Sequence, residues 1–323
     1  MNYQGPVRAS SEIEERRMET AADLLAGAKV LFENGNLEEA LEDIDVALLL
    51  LPNSPHAHWN RGQVLLALGR YPEGFKEFEW RSFLFDNPLD RESQWTGQDL
   101  NGKRLLMVHE HGFGDSIMML RYVRVLEGLG ARVQVAVPDN LKRVVSWSGM
   151  EVHDDSKPFD YCATTFGLMS VLGHGIEDVP SGKYLCPSLT FERRYGVGIA
   201  WSGNPAHAND DHRSMQFTQM IEGLGERLFF SVQRIGSNFA DFAETAELMS
   251  RLKHIVTVDT AAVHLAGAIG HPSVHLLLPH HAMDWRWHTK AWYPNIHFYR
   301  QTKPLDWSGP LAQVREKLDA AAS

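Results

Sequence analysis

The segment that follows residues 104–109 combines two glycines with a carboxylate, a pattern that could support general-base chemistry. The apolar run RLLMVH leads into HGFGDSIMML, which contains Gly112, Gly114 and Asp115. Glycines allow a tight turn and a close approach of the backbone to a ligand. Asp115 opens the next helix, where a carboxylate can act as a general base or simply cap the helix. The third glycine of a dinucleotide-binding fingerprint is missing, because position 117 is Ile.

Residues 259–268 have the composition of a phosphate-binding helix start. The apolar run 254–258 leads directly into DTAAVHLAGA, so several main-chain N–H groups should point at one spot. Asp259 or Thr260 can cap this helix, and His264 lies one turn further on the same side as Thr260. A single buried histidine is more often a hydrogen-bonded core residue. The position of His264 at the anion-binding end nevertheless favours contact with a diphosphate.

Two further loops could contact an anionic ligand. The run 197–201 ends at Trp201 and is followed by Gly203 and Asn204, with Arg213 before the next helix. A turn of this kind can bring N–H groups to an anion, although a solvated polar loop has the same appearance. Gln233 and Arg234 end the predicted strand 228–232 and should face the same cleft, with ordinary surface polarity as the alternative.

The sequence does not favour a metal site, although it has 16 histidines. His271 and His275 are four residues apart but span the start of a predicted strand, and the chain has no HExxH motif or CxxC pair. The acidic pair Asp43 and Asp45 falls inside a helical repeat. We therefore expect no bound metal and no cofactor. The aromatic run at positions 285, 287, 292 and 293 could stack on a base or sugar, or could pack in the core.

Composition narrows the class of protein. The chain has 323 residues with a formal charge of -10, which argues against a protein that coats nucleic acid or an anionic membrane. Two cysteines exclude a disulfide scaffold and fit a reducing compartment. The longest apolar run, residues 46–51, is far shorter than the roughly 20 residues that span a bilayer. The polar N-terminus lacks the apolar core of a signal peptide, so we expect a cytoplasmic protein.

Alternating strands and helices must position these loops. Apolar runs predict strands over 104–109, 132–137, 159–163, 197–201, 228–232, 254–258, 273–278 and 296–299, with helices between them. This alternation predicts parallel sheets with right-handed crossovers, and ligands bind such sheets at the carboxyl ends of the strands. We expect two tandem α/β units, over 100–190 and 195–323.

A helical repeat precedes the α/β units. Shifting residues 21–53 by 34 positions onto 55–87 aligns Ala28 with Gly62 and Gly35 with Gly69. Small residues recurring with this period are typical of about two tetratricopeptide hairpins over 21–90, with residues 1–20 as a leader. Because about three repeats are normally needed to bury their own faces, the aromatic end of the second hairpin should pack on the next domain, or the stack could be completed in a homo-oligomer.

Three motifs together resemble a known family. HGFGDSIMMLRYV, VGIAWSGNP…HRSMQF and IVTVDTAAVHLAGAIG…DWRW…WYP are similar to tetratricopeptide proteins that carry a glycosyltransferase domain of heptosyltransferase type. The chain resembles both the bacterial lipopolysaccharide heptosyltransferases and, more loosely, the repeat-containing O-linked glycosyltransferases (families 9 and 41). The resemblance covers the chain from about residue 21, and VDTAAVHLAGA is its most specific element.

The resemblance implies a GT-B arrangement of two Rossmann-like units, with the nucleotide-sugar donor held mainly by the second. Asp115 matches the proposed base, whereas a second group matches the donor site: Trp201, Gly203, Asn204, Arg213, Asp259, Thr260 and His264. Residues 233–236 depart from the Gln-Lys-Gly turn that is frequent in such proteins.

The function implied is an inverting, metal-independent transfer of a sugar to an acceptor hydroxyl, with the repeats holding a protein acceptor or partner. The predicted α/β units are short for Rossmann-like units, roughly 90 residues in the first. This leaves open a second interpretation, a non-catalytic tetratricopeptide adaptor with a vestigial glycosyltransferase fold. Whether Asp115 and His264 face one cleft discriminates between the two.

Overall fold

The structure, a computed structural model, describes residues 5–85, 92–187, 195–207, 209–233 and 241–321, with side chains from residue 12 onward. Arg234 and its neighbours up to residue 240 lie outside these ranges, as do residues 1–4 of the expected leader. No helix among the residues described is long and apolar enough to span a bilayer.

The chain divides into two compact units. The first, called the helical unit, contains Met1–Asn87, Gly173–Glu177 and His281–Thr289. The second, called the sheet unit, contains Pro88–Leu172, Asp178–His280 and Lys290–Ser323.

The helical unit begins with two pairs of consecutive helices: α1 (Gly5–Glu33), α2 (Leu37–Leu50), α3 (Pro55–Ala67) and α4 (Tyr71–Phe78). Gly35 and Gly69 separate the helices of each pair with φ of 85° and 78°, a left-handed conformation that explains why glycine recurs at this position. A Cβ atom on Gly62 would lie 2.8 Å from the Phe78 nitrogen, so this glycine lets α3 and α4 cross closely. The tetratricopeptide assignment itself stays a prediction.

Two features of the helical unit differ from the sequence-based expectations. The helix α1 already begins at Gly5, so most of the expected leader is helical and continuous with the first helix of the unit. The chain segment 281–289 also packs within this unit. Trp285 lies edge-on to Tyr71 at 6.0 Å and to Phe75 at 5.8 Å, and the Ala282 N–H donates to the Glu33 carbonyl at 3.0 Å. An apolar side chain from late in the chain therefore covers part of α4.

The sheet unit holds two parallel sheets. The strands of the first are β1 (Arg104–Val108), β2 (Arg132–Ala136), β3 (Glu151–Val152) and β4 (Tyr161–Thr164), in the spatial order β3-β2-β1-β4. The strands of the second are β5 (Val197–Ala200), β6 (Phe229–Ser231), β7 (His254–Val258), β8 (Val274–Leu278) and β9 (Ile296–Arg300), in the order β6-β5-β7-β8-β9. In register, Met107 pairs with Val135 and Ala163, and Val256 pairs with Ile199 and His275.

Within the described ranges of this unit, eight α-helices lie between strands and one follows the last strand: α5 (Phe113–Met119), α6 (Val123–Gly128), α7 (Asp139–Trp147), α8 (Gly167–Leu172), α9 (Asp210–Arg213), α10 (Phe217–Leu224), α11 (Phe242–Arg251), α12 (Ala261–Ala268) and α13 (Ser308–Ala320). One face of the second sheet is covered by α13, whose Leu311 and Val314 share an apolar core with Val256, Leu277 and Trp307. The prediction of an α/β fold with parallel sheets is confirmed. All eight predicted strands are present, whereas the sequence did not predict β3, α8 or α9.

Candidate functional site

The loop after β1 forms a tight turn that directs Asp115 back onto the backbone. His111 has a positive φ of 61°, and Gly112 precedes the first residue of α5. The Asp115 carboxylate Oδ2 accepts a hydrogen bond from the Gly112 N–H at 2.8 Å. The helix begins at Phe113, two residues earlier than expected, so Asp115 is its third residue and bonds back to the N-cap residue Gly112. Its side chain is only partly buried.

Neighbouring polar residues hold this loop in place. Glu110 Oε1 accepts from the Phe166 N–H at 2.6 Å, which ties the loop after β1 to the loop after β4. His109 and Ser116 share a hydrogen bond between Nδ1 and Oγ. Burial lowers the pKa of His109, while the carboxylates of Asp115 and Glu110 oppose that shift. His109 is therefore largely neutral at pH 7 and adds no full positive charge beside Asp115.

The first turns of α5 and α12 meet at Gly114 and His264. A Cβ atom on Gly114 would lie 2.7 Å from His264 Cδ2, 3.3 Å from His264 Nε2 and 3.6 Å from the Ala261 Cα. The glycine is thus required for close packing of the two helices, a different reason from the ligand approach that the sequence suggested. The carboxylate loop and the expected phosphate-binding helix are brought together.

The start of α12 has the geometry expected of an anion-binding helix. Thr260 is the N-cap in an extended conformation, and its Oγ1 accepts from the Ala262 N–H at 3.3 Å. Thr257 Oγ1 lies 3.4 Å from Thr260 Oγ1. Asp259 precedes the cap and is partly buried. The positive end of the helix dipole is therefore directed out of the carboxyl edge of the second sheet, toward the start of α5.

His264 is buried and hydrogen-bonded. Its side chain is only 5% exposed, and its Nδ1 lies 3.1 Å from the Tyr293 hydroxyl. Tyr293 in turn lies 3.1 Å from the Tyr184 hydroxyl, which accepts from Arg121 Nη2 at 3.3 Å. The sequence pattern did not indicate Arg121 or Tyr184 as site residues, and it indicated Tyr293 only as an aromatic residue. A signal was present, since Arg121 is the single charge in the apolar stretch 116–123.

The aromatic run therefore divides between the two units. Trp285 and Trp287 belong to the helical unit, whereas Trp292 and Tyr293 belong to the sheet unit, and all four are at most 5% exposed. Packing in the core, the second interpretation of the run, describes these residues.

Gln233 holds the loop after β5. Its Oε1 accepts from the N–H groups of Trp201 and Ser202, both at 3.0 Å, and its Nε2 donates to Ser202 Oγ at 2.8 Å. The side chain is 6% exposed, so its amide is used to shape the loop. Trp201 packs edge-on against Phe217 with the ring centroids 4.9 Å apart.

Gly203 lies beneath an ion pair. Arg213 Nε donates to Asp210 Oδ1 at 3.2 Å, and a Cβ atom on Gly203 would lie 2.5 Å from that oxygen and 2.6 Å from Arg213 Nη2. The Gly203 N–H donates to Ser214 Oγ at 2.9 Å. Arg213 is thus paired with the Asp210 carboxylate, and an anionic ligand would have to compete with that carboxylate for the guanidinium. Asn204 is exposed, and its Oδ1 accepts from the Ala206 N–H at 3.1 Å, which forms a local turn.

The loops after β5 and β7 leave the same edge of the second sheet, because Ala200 pairs with Thr257 in a parallel ladder. The residues expected to bind a donor therefore cluster at one edge, with the exception of Arg234, which lies outside the described part of the chain. Across the ranges that the structure covers, no group of three or more His, Cys, Asp or Glu side chains could hold a metal ion.

One curated protein and several solved structures are similar to this chain. The chain is 25% identical to Protein FlbA of Caulobacter vibrioides over 90% of its own length, and it spans about 60% of the length of that relative. In fold it is similar to a family 9 glycosyl transferase from Veillonella parvula DSM 2008, with a TM-score of 0.46, 11% identity and coverage of 71% of this chain and 98% of that one. It is also similar to the iron-containing dodecameric glycosyltransferase TibC from enterotoxigenic E. coli H10407, with a TM-score of 0.44, 12% identity and coverage of 70% and 78%.

A family model locates the similarity within the chain. Residues 240–307 match the glycosyltransferase family 9 (heptosyltransferase) model. This range contains α11, β7, α12, β8 and β9, together with Asp259, Thr260 and His264. The part of the chain that carries the expected phosphate-binding helix is therefore the part that resembles family 9 glycosyltransferases.

Proposed function

We propose that the protein is an inverting glycosyltransferase that moves a sugar from a nucleotide-sugar donor to an acceptor hydroxyl. The observation that carries the proposal is the contact of Gly114 with His264, which brings the helix that presents Asp115 against the helix expected to bind phosphate. A base and an anion-binding helix start, side by side at the carboxyl ends of β1 and β7, are what such a displacement needs. The family 9 match over residues 240–307 supports the same reaction.

In the proposed reaction, Asp115 accepts the proton of the acceptor hydroxyl. The acceptor oxygen forms a bond to the anomeric carbon while the bond from that carbon to the diphosphate oxygen breaks, with inversion. Negative charge grows on the leaving nucleoside diphosphate, and the N–H groups at the start of α12, with Thr260 and His264, stabilise it. Arg213 would exchange part of its contact with Asp210 for the donor. Gln233 holds the Trp201–Ser202 turn that faces the donor.

We propose that this reaction needs no metal, because the helix dipole and the donors named above can neutralise a diphosphate. The only acidic pair of the D-x-D type lies elsewhere in the sequence, since Asp43 and Asp45 are on α2 of the helical unit. Asp45 there accepts from Arg61 Nε at 2.6 Å. Treatment with EDTA tests this part of the proposal directly.

The helical unit is proposed to bind a protein acceptor or partner through tetratricopeptide hairpins over 21–90, after a leader over 1–20. The two α/β units are proposed over 100–190 and 195–323 in a GT-B arrangement, in a cytoplasmic protein. The 34-residue offset that aligns Gly35 with Gly69 supports the repeats. An incomplete stack of two repeats supports self-association of the chain.

The decisive experiment is a thermal-shift and calorimetric screen of the whole chain against UDP, GDP, ADP and CMP, with and without EDTA. We expect one nucleotide to raise Tm, with the same shift in EDTA, because ligand that binds only the native state stabilises it. A shift abolished by EDTA contradicts metal independence. Silence from all four nucleotides contradicts the enzyme and favours the non-catalytic adaptor, whose partner would then be sought through the helical unit.

A further inference from the structure

A buried hydrogen-bonded chain of side chains runs from Arg121 to His264 inside the sheet unit. Arg121 Nη2 donates to the Tyr184 hydroxyl at 3.3 Å, and the hydroxyls of Tyr184 and Tyr293 are 3.1 Å apart. The Tyr293 hydroxyl then lies 3.1 Å from His264 Nδ1. This hydrogen-bonded chain joins the segment after α5 to the middle of α12, and the reaction proposed above gives no role to Arg121, Tyr184 or Tyr293.

Arg121 is held rigidly at the far end of this chain. The residue is 3% exposed, and its guanidinium carbon lies 4.6 Å from the centroid of the Tyr293 ring. Its Nη1 donates to the main-chain carbonyls of Trp292 at 2.7 Å and Pro180 at 3.1 Å. A buried guanidinium that is satisfied by carbonyls and lies over an aromatic ring is a fixed donor.

The fixed donor favours one direction of hydrogen bonding, because Arg121 hydrogen-bonds to the hydroxyls of both Tyr184 and Tyr293. A guanidinium can only donate, so Tyr184 accepts from Arg121 and can give its own proton to Tyr293. The Tyr293 hydroxyl then donates a hydrogen bond to His264 Nδ1. In the opposite direction the Tyr184 oxygen would accept two hydrogen bonds, and the Tyr184 O–H would need another acceptor. Bonds that run in one direction also polarise and strengthen one another.

We propose that Arg121, Tyr184 and Tyr293 are positioning residues that hold the neutral His264 ring with its proton on Nε2. The Nε2–Cδ2 edge of the ring faces Gly114 at the start of α5. The hydrogen-bonded chain of side chains therefore presents the Nε2–H of His264 as a donor where α5 and α12 meet. That this donor serves the diphosphate rests on the proposed function, whereas the position of the proton does not.

The surroundings of Tyr293 support this assignment. Its ring packs directly over Gly267, one turn after His264 on α12, where a Cβ atom would overlap the ring. Burial raises the pKa of the Tyr293 hydroxyl well above its ordinary value, so this hydroxyl keeps its proton for donation. A phenol that is held in place on both sides and keeps its proton can donate to Nδ1.

The test is ¹⁵N NMR of the full chain labelled at histidine, with the His264 signals assigned by their loss in His264→Gln. We expect the native protein to show a pyridine-type Nδ1 and a pyrrole-type Nε2 at His264. Tyr293→Phe keeps the ring and removes the donor, so the proton should redistribute between the two nitrogens. Tyr184→Phe should cause a smaller redistribution, because it leaves the last bond of the chain in place.

Tyr299→Phe is the matched control. The Tyr299 hydroxyl lies 3.0 Å from His275 Nδ1, the same pair of groups at another place in the sheet unit. We expect this variant to change the signals of His275 and to leave those of His264 untouched. A native His264 with its proton on Nδ1, or a Tyr293→Phe spectrum with unchanged His264 signals, would overturn the proposal.

Nucleotide titration separates this proposal from the proposed function. With the nucleotide identified by the screen, we expect Tyr293→Phe to bind about tenfold more weakly, the effect of one misdirected hydrogen bond, while Tyr299→Phe binds as the native chain does. If no nucleotide binds the native chain, the proposed function fails and the NMR result still decides the position of the proton. If the proton moves and affinity does not, the role of Nε2 toward the diphosphate is refuted.

Discussion

Gly114 on α5 lies directly against the ring of His264 on α12, 150 residues later in the chain, so closely that a Cβ atom would stand 2.7 Å from Cδ2. Each residue belongs to a motif that looked separate in the sequence. Their contact means that the start of α5, which carries Asp115, and the start of α12 cannot move independently, because the packed atoms leave no gap between them.

Gly114→Ala should therefore disturb both motifs at once. Although alanine favours a helix, we expect the free energy of unfolding to fall by about 1–3 kcal/mol through overpacking against His264, and nucleotide affinity to fall with it. Denaturant unfolding and calorimetry measure the two effects. Gly128→Ala on α6 is the control, because a Cβ atom there has open space and should leave both quantities nearly unchanged. Native-like stability and affinity in Gly114→Ala would contradict the packing argument.

Asp115→Asn should abolish transfer without abolishing binding. The amide oxygen can still accept from the Gly112 N–H, so the loop should keep its shape, but the amide cannot take a proton. We expect kcat for nucleoside diphosphate release to fall by about 10²–10⁴-fold, with the nucleotide Kd unchanged. Asp139→Asn, which removes an exposed carboxylate from α7, should leave kcat as it is. Retained turnover in Asp115→Asn would rule out this residue as the base.

Gln233→Ala should loosen the turn after β5. The substitution leaves the Trp201 and Ser202 N–H groups without their acceptor, and an unsatisfied buried donor costs about 1–3 kcal/mol. We expect lower stability in denaturant and weaker nucleotide binding. Gln233→Glu keeps an acceptor for both N–H groups and should restore most of the loss. If the two variants behave alike, the hydrogen bonds to the turn are not what matters.

His275 should make the sheet unit sensitive to acid. Burial, together with the nearby histidines His254 and His297, lowers its pKa from 6.5 to about 3. As the pH falls below 6.5, the unfolded chain binds a proton there and the native protein does not. The free energy of unfolding should therefore fall by up to ~1.4 kcal/mol per pH unit between the two values.

Replacing this histidine tests the sign and the window. Gln can still bond to Tyr299 and Ser273 but does not titrate, so His275→Gln should flatten the dependence of unfolding free energy on pH below 6.5. His212→Gln, at an exposed position, should leave the slope unchanged. An unaltered slope in His275→Gln would show that other groups cause the acid sensitivity.

The sequence predicted the fold well because buried parallel strands are nearly continuous apolar runs. Each such run in the α/β region became a strand, whereas β3 is only two residues long and partly exposed, so it has no pattern to detect. The sequence also predicted that Asp115 and His264 are the residues to examine. The sequence could not predict that Gly114 packs against His264, because a glycine needed for ligand approach and a glycine needed for helix packing look identical in a sequence.

Partners that are distant along the chain were the residues most easily missed. Arg121, Tyr184 and Tyr293 interact only because the fold brings together segments that are 63 and 109 residues apart. Gln233 is a similar case. The sequence predicted that it contacts the nucleotide-sugar donor, but it did not predict that the amide oxygen accepts from two main-chain N–H groups. Long-range hydrogen bonds carry no periodicity, so only a buried charge in an apolar stretch, as at Arg121, signals them.

The position of Trp285 in the helical unit has a consequence for biosynthesis. Tyr71 and Phe75 are made early, but the tryptophan that packs against them leaves the ribosome more than 200 residues later. The α4 face must stay uncovered while both sheets are being synthesised, and loop closure over that distance slows the contact further. Completion of the N-terminal helices is therefore expected to be a late event, and a chain released before residue 289 would expose an aromatic surface to chaperones.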